Sequence, residues 1–131
     1  MEEQQRKSVL VVDDDIGLVK FIAQVLRING YVPVSAYSGE AALDAYSAAP
    51  PHLILLDIAM PGLNGWDVAE RIRVKEDPTG THTPIVIMSA QSRIFEVSQQ
   101  FRQRVDAFLT KPFGTEEIVA QVAAMIGPGI Q

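Results

Sequence analysis

The amino-acid sequence predicts an α/β fold in which a mostly parallel five-stranded sheet lies between two layers of helices. Short apolar runs alternate with helical patterns five times along the 131 residues. Three of these runs, at residues 9–12, 53–56 and 85–88, are almost continuously aliphatic, as in strands that helices cover on both faces. Two of the runs lead to an aspartate, Asp13 or Asp57, and the carboxyl ends of parallel strands meet at one edge of a sheet. We therefore expect a three-layer sandwich with an acidic edge.

The first predicted strand leads into three consecutive acids, Asp13, Asp14 and Asp15. Gly30 supplies the permissive backbone at which the following helix ends. Asp15 stands directly before that helix, where a carboxylate can accept hydrogen bonds from the first free N–H groups, so we interpret it as a capping residue. The helix itself is indicated by apolar residues at helical spacing, which are Leu18, Phe21, Ile22, Val25 and Leu26.

The second strand is predicted over residues 31–36. Pro33 lies within it and has no N–H to donate, which favours a position at the edge of the sheet. Ser38 is a candidate N-cap for the next helix, and the two prolines at positions 50 and 51 end that helix. Its apolar positions are Ala41, Ala42, Ala45 and Tyr46.

The third strand ends at Asp57 and is followed by a turn at residues 61–65, which contains proline and two glycines. A third helix carries Trp66, Ala69 and Ile72, and we expect the tryptophan to lie in the core. The polar segment after it, residues 77–81, is predicted to be a mobile loop. The fourth strand then leads to Ser89.

Two helices and one strand complete the pattern. Ile94, Val97 and Phe101 outline the fourth helix. The fifth strand, residues 107–110, leads to Lys111 and a proline. A fifth helix follows the candidate N-cap Thr115, and its apolar residues are Ile118, Val119, Val122, Met125 and Ile126.

Composition and charge exclude several classes of protein. The length fits one domain, which we place at residues 8–126 between a flexible tail at 1–7 and a tail at 127–131. The absence of cysteine excludes a disulfide framework, and the presence of only two histidines argues against a zinc site. A net charge of −5 with scattered basic residues argues against direct nucleic-acid binding. No apolar stretch approaches the roughly 20 residues of a membrane span, so we expect a cytoplasmic protein.

Five polar or charged side chains stand at the carboxyl ends of the predicted strands. Asp13 and Asp14 follow the first strand, Asp57 ends the third, Ser89 follows the fourth and Lys111 follows the fifth. Carboxylate oxygens are ligands of hard cations, and an ammonium group beside them attracts an anion. The sequence therefore predicts a site that holds a divalent metal ion next to a phosphoryl group.

These residues resemble the receiver domain of two-component response regulators. The resemblance spans residues 8–126 and rests on four segments, VVDDD at 11–15, LDIAMPGLNG at 56–65, MSA at 88–90 and TKPF at 110–113. It implies a flavodoxin-like (βα)5 fold with the strand order 2-1-3-4-5. It also implies a cis peptide bond between Lys111 and Pro112.

The resemblance implies that Asp57 is the phosphoacceptor, which receives a phosphoryl group from a phosphohistidine on a partner kinase. It implies Mg²⁺ as the cofactor, because phosphoryl transfer between negatively charged oxygens needs a cation. Asp14 and Asp57 then bind the metal directly, Asp13 binds it mainly through water, and the backbone carbonyl of Ala59 supplies a further oxygen.

Three more residues acquire roles from the resemblance. Lys111 contacts a phosphoryl oxygen, and the Ser89 hydroxyl turns towards the new phosphoryl group. Phe108 occupies the aromatic switch position, and its rotation alters the surface formed by the fourth helix, fifth strand and fifth helix.

The implied partners are a sensor histidine kinase or a phosphotransfer protein, and downstream a protein target or a fused output domain. Such a domain is not an enzyme with a separate substrate, since it catalyses only its own phosphorylation and slow dephosphorylation. We expect no direct contact with nucleic acid or membrane. A homodimer that forms on phosphorylation is a further expectation.

The chain departs from the family pattern at three positions that affect the phosphoryl lifetime or the switch. Ala59 and Gln91 stand where side chains modulate hydrolysis, and neither has a carboxylate that could align a water molecule. Phe108 lacks the hydroxyl of the tyrosine often found at the switch position, so a switch here depends on packing.

Two other functions remain open at this point. A Mg²⁺-dependent phosphohydrolase of the haloacid dehalogenase type would use Asp13 as its nucleophile, but Gly17 stands where that motif has threonine or valine. A receiver-like interaction module that is never phosphorylated is the other alternative. The presence of all five polar residues at the strand ends argues against such a module.

Overall fold

The computed structural model describes residues 6–90 and 103–129. Its five strands run parallel in one sheet with the order β2-β1-β3-β4-β5, so the predicted strand order is confirmed. The strand that contains Pro33 lies at an edge, as predicted. The strands are β1 (Ser8–Val12), β2 (Val32–Ala36), β3 (Leu53–Asp57), β4 (Ile85–Ser89) and β5 (Ala107–Thr110).

Four helices connect and follow these strands within the described residues. They are α1 (Ile16–Ile28), α2 (Gly39–Ala48), α3 (Gly65–Glu76) and α4 (Thr115–Ile126), the last of which is the fifth helix of the sequence pattern. The helix predicted at Ile94, Val97 and Phe101 lies outside the described residues, as does Gln91. In the part of the chain that the structure describes, no helix is long and apolar enough to span a bilayer.

Two apolar clusters cover the two faces of the sheet. Val9 and Val11 of β1 lie in one cluster with residues of α1 and α4, including Leu26. Leu10 of β1 lies in the other cluster with residues of α2 and α3, including Ile72. Because successive side chains of a strand point to opposite faces, β1 is buried on both of them. The predicted three-layer sandwich is therefore confirmed.

Polar side chains begin the first two helices as predicted. Asp15 accepts a hydrogen bond from the N–H of Leu18 at 3.1 Å, and Ser38 accepts one from Ala41 at 3.1 Å. Each satisfies an N–H group that has no partner inside its own helix.

The expectation that Thr115 caps the last helix is wrong. Thr115 is the first residue of α4, and Gly114 is its N-cap. The Glu117 carboxylate accepts a hydrogen bond from the Gly114 N–H at 2.8 Å. The side chain that stabilises the start of α4 therefore comes from Glu117, within the first turn of the helix, and not from the cap residue.

The segment after α4 is held against the amino end of the sheet. The Tyr31 hydroxyl donates a hydrogen bond of 2.6 Å to the Gly127 carbonyl oxygen, and the Lys7 ammonium donates one to the Ile126 carbonyl oxygen. A Cβ atom at Gly129 would lie 2.2 Å from the Asn29 carbonyl oxygen, so this glycine packs directly on the end of α1. These contacts lie opposite the edge at which the strands end with acids.

Candidate functional site

The carboxyl ends of three neighbouring strands place the predicted site residues at one edge of the sheet. Val12 pairs with Leu56 across β1 and β3, so Asp13 and Asp57 lie at equivalent positions, each one residue further on. Asp57 pairs in turn with Met88, the residue before Ser89. Parallel register thus brings together residues that are up to 76 positions apart, from Asp13 to Ser89.

The three predicted acids form one cluster. One carboxylate oxygen of each of Asp13, Asp14 and Asp57 lies within 4.8 Å of the corresponding oxygens of the other two. Asp13 is only 1% exposed and Asp57 only 4% exposed, whereas Asp14 faces solvent. Buried carboxylates this close together repel one another strongly unless a cation lies beside them.

Lys111 provides part of that positive charge. Its ammonium lies 2.7 Å from Asp13 Oδ2 and 3.1 Å from Asp57 Oδ1. Burial favours the neutral amine, but the hydrogen bonds to Asp13 and Asp57 and the charges of both outweigh it, so the pKa of Lys111 lies above its ordinary value. The lysine is therefore a cation at neutral pH. The peptide bond between Lys111 and Pro112 is cis, as the resemblance implies.

The lysine does not compensate the whole cluster. Burial disfavours the charged form of Asp57 and, together with the charges of Asp13 and Asp14, raises its pKa above the ordinary value despite the opposing contact with Lys111. Among the residues that the structure describes, three carboxylates lie against one ammonium, which leaves two negative charges in excess when all four groups are ionised. A divalent cation would balance this excess.

The donor set fits a hard divalent cation. The cluster offers carboxylate oxygens from Asp13, Asp14 and Asp57, and it contains neither sulfur nor imidazole. Ala59, Ser89 and other residues of the same edge line an open cavity of about 320 Å³ around it. Oxygen ligands, excess negative charge and room for water are what Mg²⁺ prefers.

Asp15 contributes to the site through its main chain. Its N–H donates a hydrogen bond of 3.0 Å to Asp13 Oδ1. Since Asp13 Oδ2 accepts from Lys111, both oxygens of the Asp13 carboxylate are engaged. The Asp15 side chain caps α1 instead of joining the acid cluster, as predicted.

Phe108 lies in β5 and contacts Trp66 of α3 edge to face. The ring centroids are 6.5 Å apart and the ring planes meet at 63°. We predicted that Trp66 lies in the core, and the structure places it partly buried at the margin of one apolar cluster. The sequence pattern indicated only burial for Trp66, because its contact with Phe108 joins elements that are distant along the chain.

Comparison with known proteins identifies the family pattern over most of the chain. The family model described as response regulator receiver domain matches residues 9–123. The DNA-binding response regulator MtrA of Mycobacterium tuberculosis is 34% identical over 124 residues, which cover 95% of this chain and 52% of that protein. MtrA of Mycobacterium leprae is 35% identical over 121 residues, which cover 92% and 52%. The chain thus spans about half the length of these curated relatives.

Solved structures give the same result. A CheY-like response regulator receiver domain protein from Methanospirillum hungatei is 28% identical with a TM-score of 0.80, over 92% of this chain and 94% of that one. The receiver domain of the Francisella response regulator 1452 is 28% identical with a TM-score of 0.79, over 91% and 95%.

Proposed function

The chain belongs to the response regulator receiver domain family, whose function is phosphorylation-dependent signalling, and we propose that Asp57 is the residue that accepts the phosphoryl group. One observation carries the proposal: the Asp57 carboxylate is buried, lies in the acid cluster and accepts a hydrogen bond of 3.1 Å from Lys111. The cavity beside it is open to a donor. An acceptor needs this combination of a nucleophilic oxygen, an ammonium and access.

In the proposed reaction, a carboxylate oxygen of Asp57 attacks the phosphorus of a phosphohistidine on a partner protein. A P–O bond forms and the P–N bond breaks, and its electron pair returns to the imidazole, which takes up a proton. The product is an aspartyl phosphate and a neutral histidine. Lys111 pairs with the negatively charged phosphoryl oxygens while the phosphoryl group passes from the histidine to Asp57.

Asp13, Asp14, Asp57 and the main-chain carbonyl of Ala59 are the groups that would hold Mg²⁺. When bound, Mg²⁺ neutralises charge on the phosphoryl oxygens and so lowers the barrier to their approach. The engagement of Asp13 by Lys111 and by the Asp15 N–H keeps its carboxylate in place. A hydrolase of the dehalogenase type would instead carry the phosphoryl group on Asp13, so the position of the label distinguishes the two functions.

Ser89 and Phe108 would convert the modification into a change of surface. Ser89 is buried at the end of β4 and lines the cavity with Asp57, so its hydroxyl can turn towards a new phosphoryl group. Its movement would open space for Phe108, one strand further along the sheet. Because Phe108 has no hydroxyl, the switch would depend on its edge-to-face packing on Trp66.

We further propose a sensor histidine kinase or a phosphotransfer protein as the donor, acting in the cytoplasm. The chain covers 52% of relatives that are named DNA-binding response regulators, which supports an output domain or a separate protein target downstream. The receiver unit is proposed at residues 8–126, and it would catalyse only its own phosphorylation and slow dephosphorylation. A homodimer formed on phosphorylation fits the same scheme.

Incorporation of phosphate from radiolabelled acetyl phosphate tests the proposal. The wild-type chain is expected to incorporate label with Mg²⁺ and to lose this ability in EDTA. Asp57→Asn is expected to incorporate none, while Asp44→Asn, an exposed aspartate on α2, serves as the matched control. Equal incorporation by wild type and Asp57→Asn would contradict the assignment. A chain that takes no label and binds no beryllium fluoride with Mg²⁺ would instead be an interaction module.

A further inference from the structure

Gly65 brings α3 into direct contact with the main chain of Asp57. A Cβ atom at position 65, the first residue of α3, would lie 2.4 Å from the Asp57 carbonyl oxygen and 2.9 Å from Ile58 Cα. Both distances are below 3.0 Å, which real Cβ atoms essentially never show. The atoms in the way belong to the backbone and cannot rotate aside. Any side chain at position 65 must therefore move either α3 or the end of β3.

Gly39 makes a similar approach from the other side. A Cβ atom on this first residue of α2 would lie 2.6 Å from Leu63 Cβ and 2.8 Å from the Leu63 carbonyl oxygen. Leu63 belongs to the acceptor loop, the segment 58–64 that connects Asp57 to α3. Neither Gly39 nor Gly65 has a positive φ. Glycine is therefore needed at these two positions because a side chain would not fit, and not because the backbone conformation requires it.

Hydrogen bonds fix the shape of the acceptor loop. The Ile58 carbonyl oxygen accepts from the N–H groups of Met60 at 3.2 Å and Gly65 at 2.9 Å. Asn64 and Asp67 bond each other reciprocally, at 3.0 and 3.2 Å. These bonds set the form of the loop, whereas the two glycine contacts set where the loop sits on α2 and α3.

Because of these contacts, we propose that Gly65 and Gly39 are positioning residues for phosphoryl transfer. They hold the acceptor loop so that the Asp57 carboxylate and the Ala59 main chain keep their places at the acid cluster. The inference rests on the proposed role of Asp57. A displacement of about 1 Å at a reacting group can lower a rate by about 10²-fold, so the absence of two methyl groups would matter to the reaction.

Alanine substitutions at three glycines test the inference. Gly65→Ala and Gly39→Ala add one methyl group against the acceptor loop. Gly17→Ala is the control, because a Cβ atom there lies 3.6 Å from Asp15 Oδ1, an ordinary contact, in a helix that also begins at the site. The rate constant of labelling by acetyl phosphate is measured at saturating Mg²⁺ and well below each melting temperature. The Mg²⁺ concentration for half-maximal rate is measured in parallel.

We expect Gly65→Ala to lower the rate constant per folded molecule by about 10²-fold and Gly39→Ala by about tenfold, with Gly17→Ala within about twofold of wild type. If a glycine has a purely structural role, its substitution by alanine would lower the melting temperature and leave the rate constant per folded molecule unchanged. That result for Gly65→Ala, with wild type labelled at Asp57, overturns the inference and leaves the proposed function standing. A wild-type chain without label overturns both. If Gly65→Ala does not fold, Gly39→Ala decides by the same criterion.

Discussion

Lys111 Nζ lies 3.1 Å from Asp57 Oδ1 although a whole strand, β4, separates the strands that deliver the two residues. The lysine reaches across the end of β4 and also bonds Asp13 Oδ2 at 2.7 Å. One ammonium thus holds carboxylates from two adjacent strands, β1 and β3. This geometry links the fold directly to the chemistry, since the parallel sheet brings these three residues to one edge.

Lys111→Ala is expected to reduce phosphorylation without abolishing it. The variant removes the charge that pairs with the phosphoryl oxygens, while the acid cluster remains. We expect the labelling rate to fall about tenfold, which corresponds to about 1.4 kcal/mol of transition-state stabilisation. Rates with acetyl phosphate measure this, and Lys75→Ala, an exposed lysine on α3, is the control. A Lys111→Ala rate equal to that of wild type would mean that the ammonium plays no part.

Mg²⁺ is expected to stabilise the fold by binding the acid cluster. At a concentration of one hundred times its dissociation constant, the gain is about 2.7 kcal/mol, or roughly 10 °C in melting temperature for a domain of this size. Asp14→Asn should remove most of the gain. Asp15→Asn should retain it, because asparagine also caps a helix. Equal gains in the two variants would place the metal elsewhere.

Asp57→Asn is expected to stabilise the metal-free domain at neutral pH. The pKa of Asp57 is raised in the folded state, so its contribution to stability is present below the unfolded pKa and is lost as pH rises through the folded pKa. The substitution should therefore raise the melting temperature in EDTA at pH 7 and have less effect near pH 4. Asp44→Asn is the control. A lower melting temperature for Asp57→Asn at pH 7 contradicts this reasoning.

Trp66 is expected to report the state of Phe108. It is the only tryptophan of the chain, and its ring contacts Phe108 edge to face. Beryllium fluoride with Mg²⁺ should change its fluorescence in the wild type, and Phe108→Leu should remove most of the change. Phe21→Leu, an exposed phenylalanine on α1, should leave the change intact. An undiminished response in Phe108→Leu would remove Phe108 from the switch.

Tyr31→Phe is expected to lower stability without affecting phosphorylation. The substitution removes the hydrogen bond of 2.6 Å from the Tyr31 hydroxyl to the Gly127 carbonyl oxygen, at the end of the sheet away from the acid cluster. We expect a loss of about 1 kcal/mol in urea unfolding. Tyr37→Phe, at an exposed tyrosine, should change stability little. An unchanged unfolding free energy in Tyr31→Phe would show that this contact contributes nothing.

Much of the fold could be predicted because hydrophobic burial has a simple periodic signature. Continuous aliphatic runs identified the central strands β1, β3 and β4, and Pro33 identified the edge strand. The strand ends then predicted which polar residues share an edge, although the strand order itself came from the resemblance. The N-cap of the last helix shows the limit. The cap is Gly114 and not Thr115, and the Gly114 N–H donates a hydrogen bond to the Glu117 carboxylate, which needs no side chain on the cap residue.

Contacts between elements distant in sequence could not be predicted from local pattern. The approach of Gly39 to Leu63 depends on how α2 and α3 pack, and the approach of Phe108 to Trp66 depends on how α3 packs near β5. Neither contact produces a periodic pattern in the amino-acid sequence. The same holds for Arg73, which bonds Asp106 at 3.0 Å and so ties α3 to the segment before β5.

Mass spectrometry can show directly whether Asp57 is the residue that carries the phosphoryl group. The chain is treated with acetyl phosphate and Mg²⁺, the acyl phosphate is reduced with borohydride, and the modified peptide is sequenced. We expect a single reduced residue, at position 57. A reduced residue at position 13, or an unmodified Asp57 in a chain that carries phosphate, would contradict it.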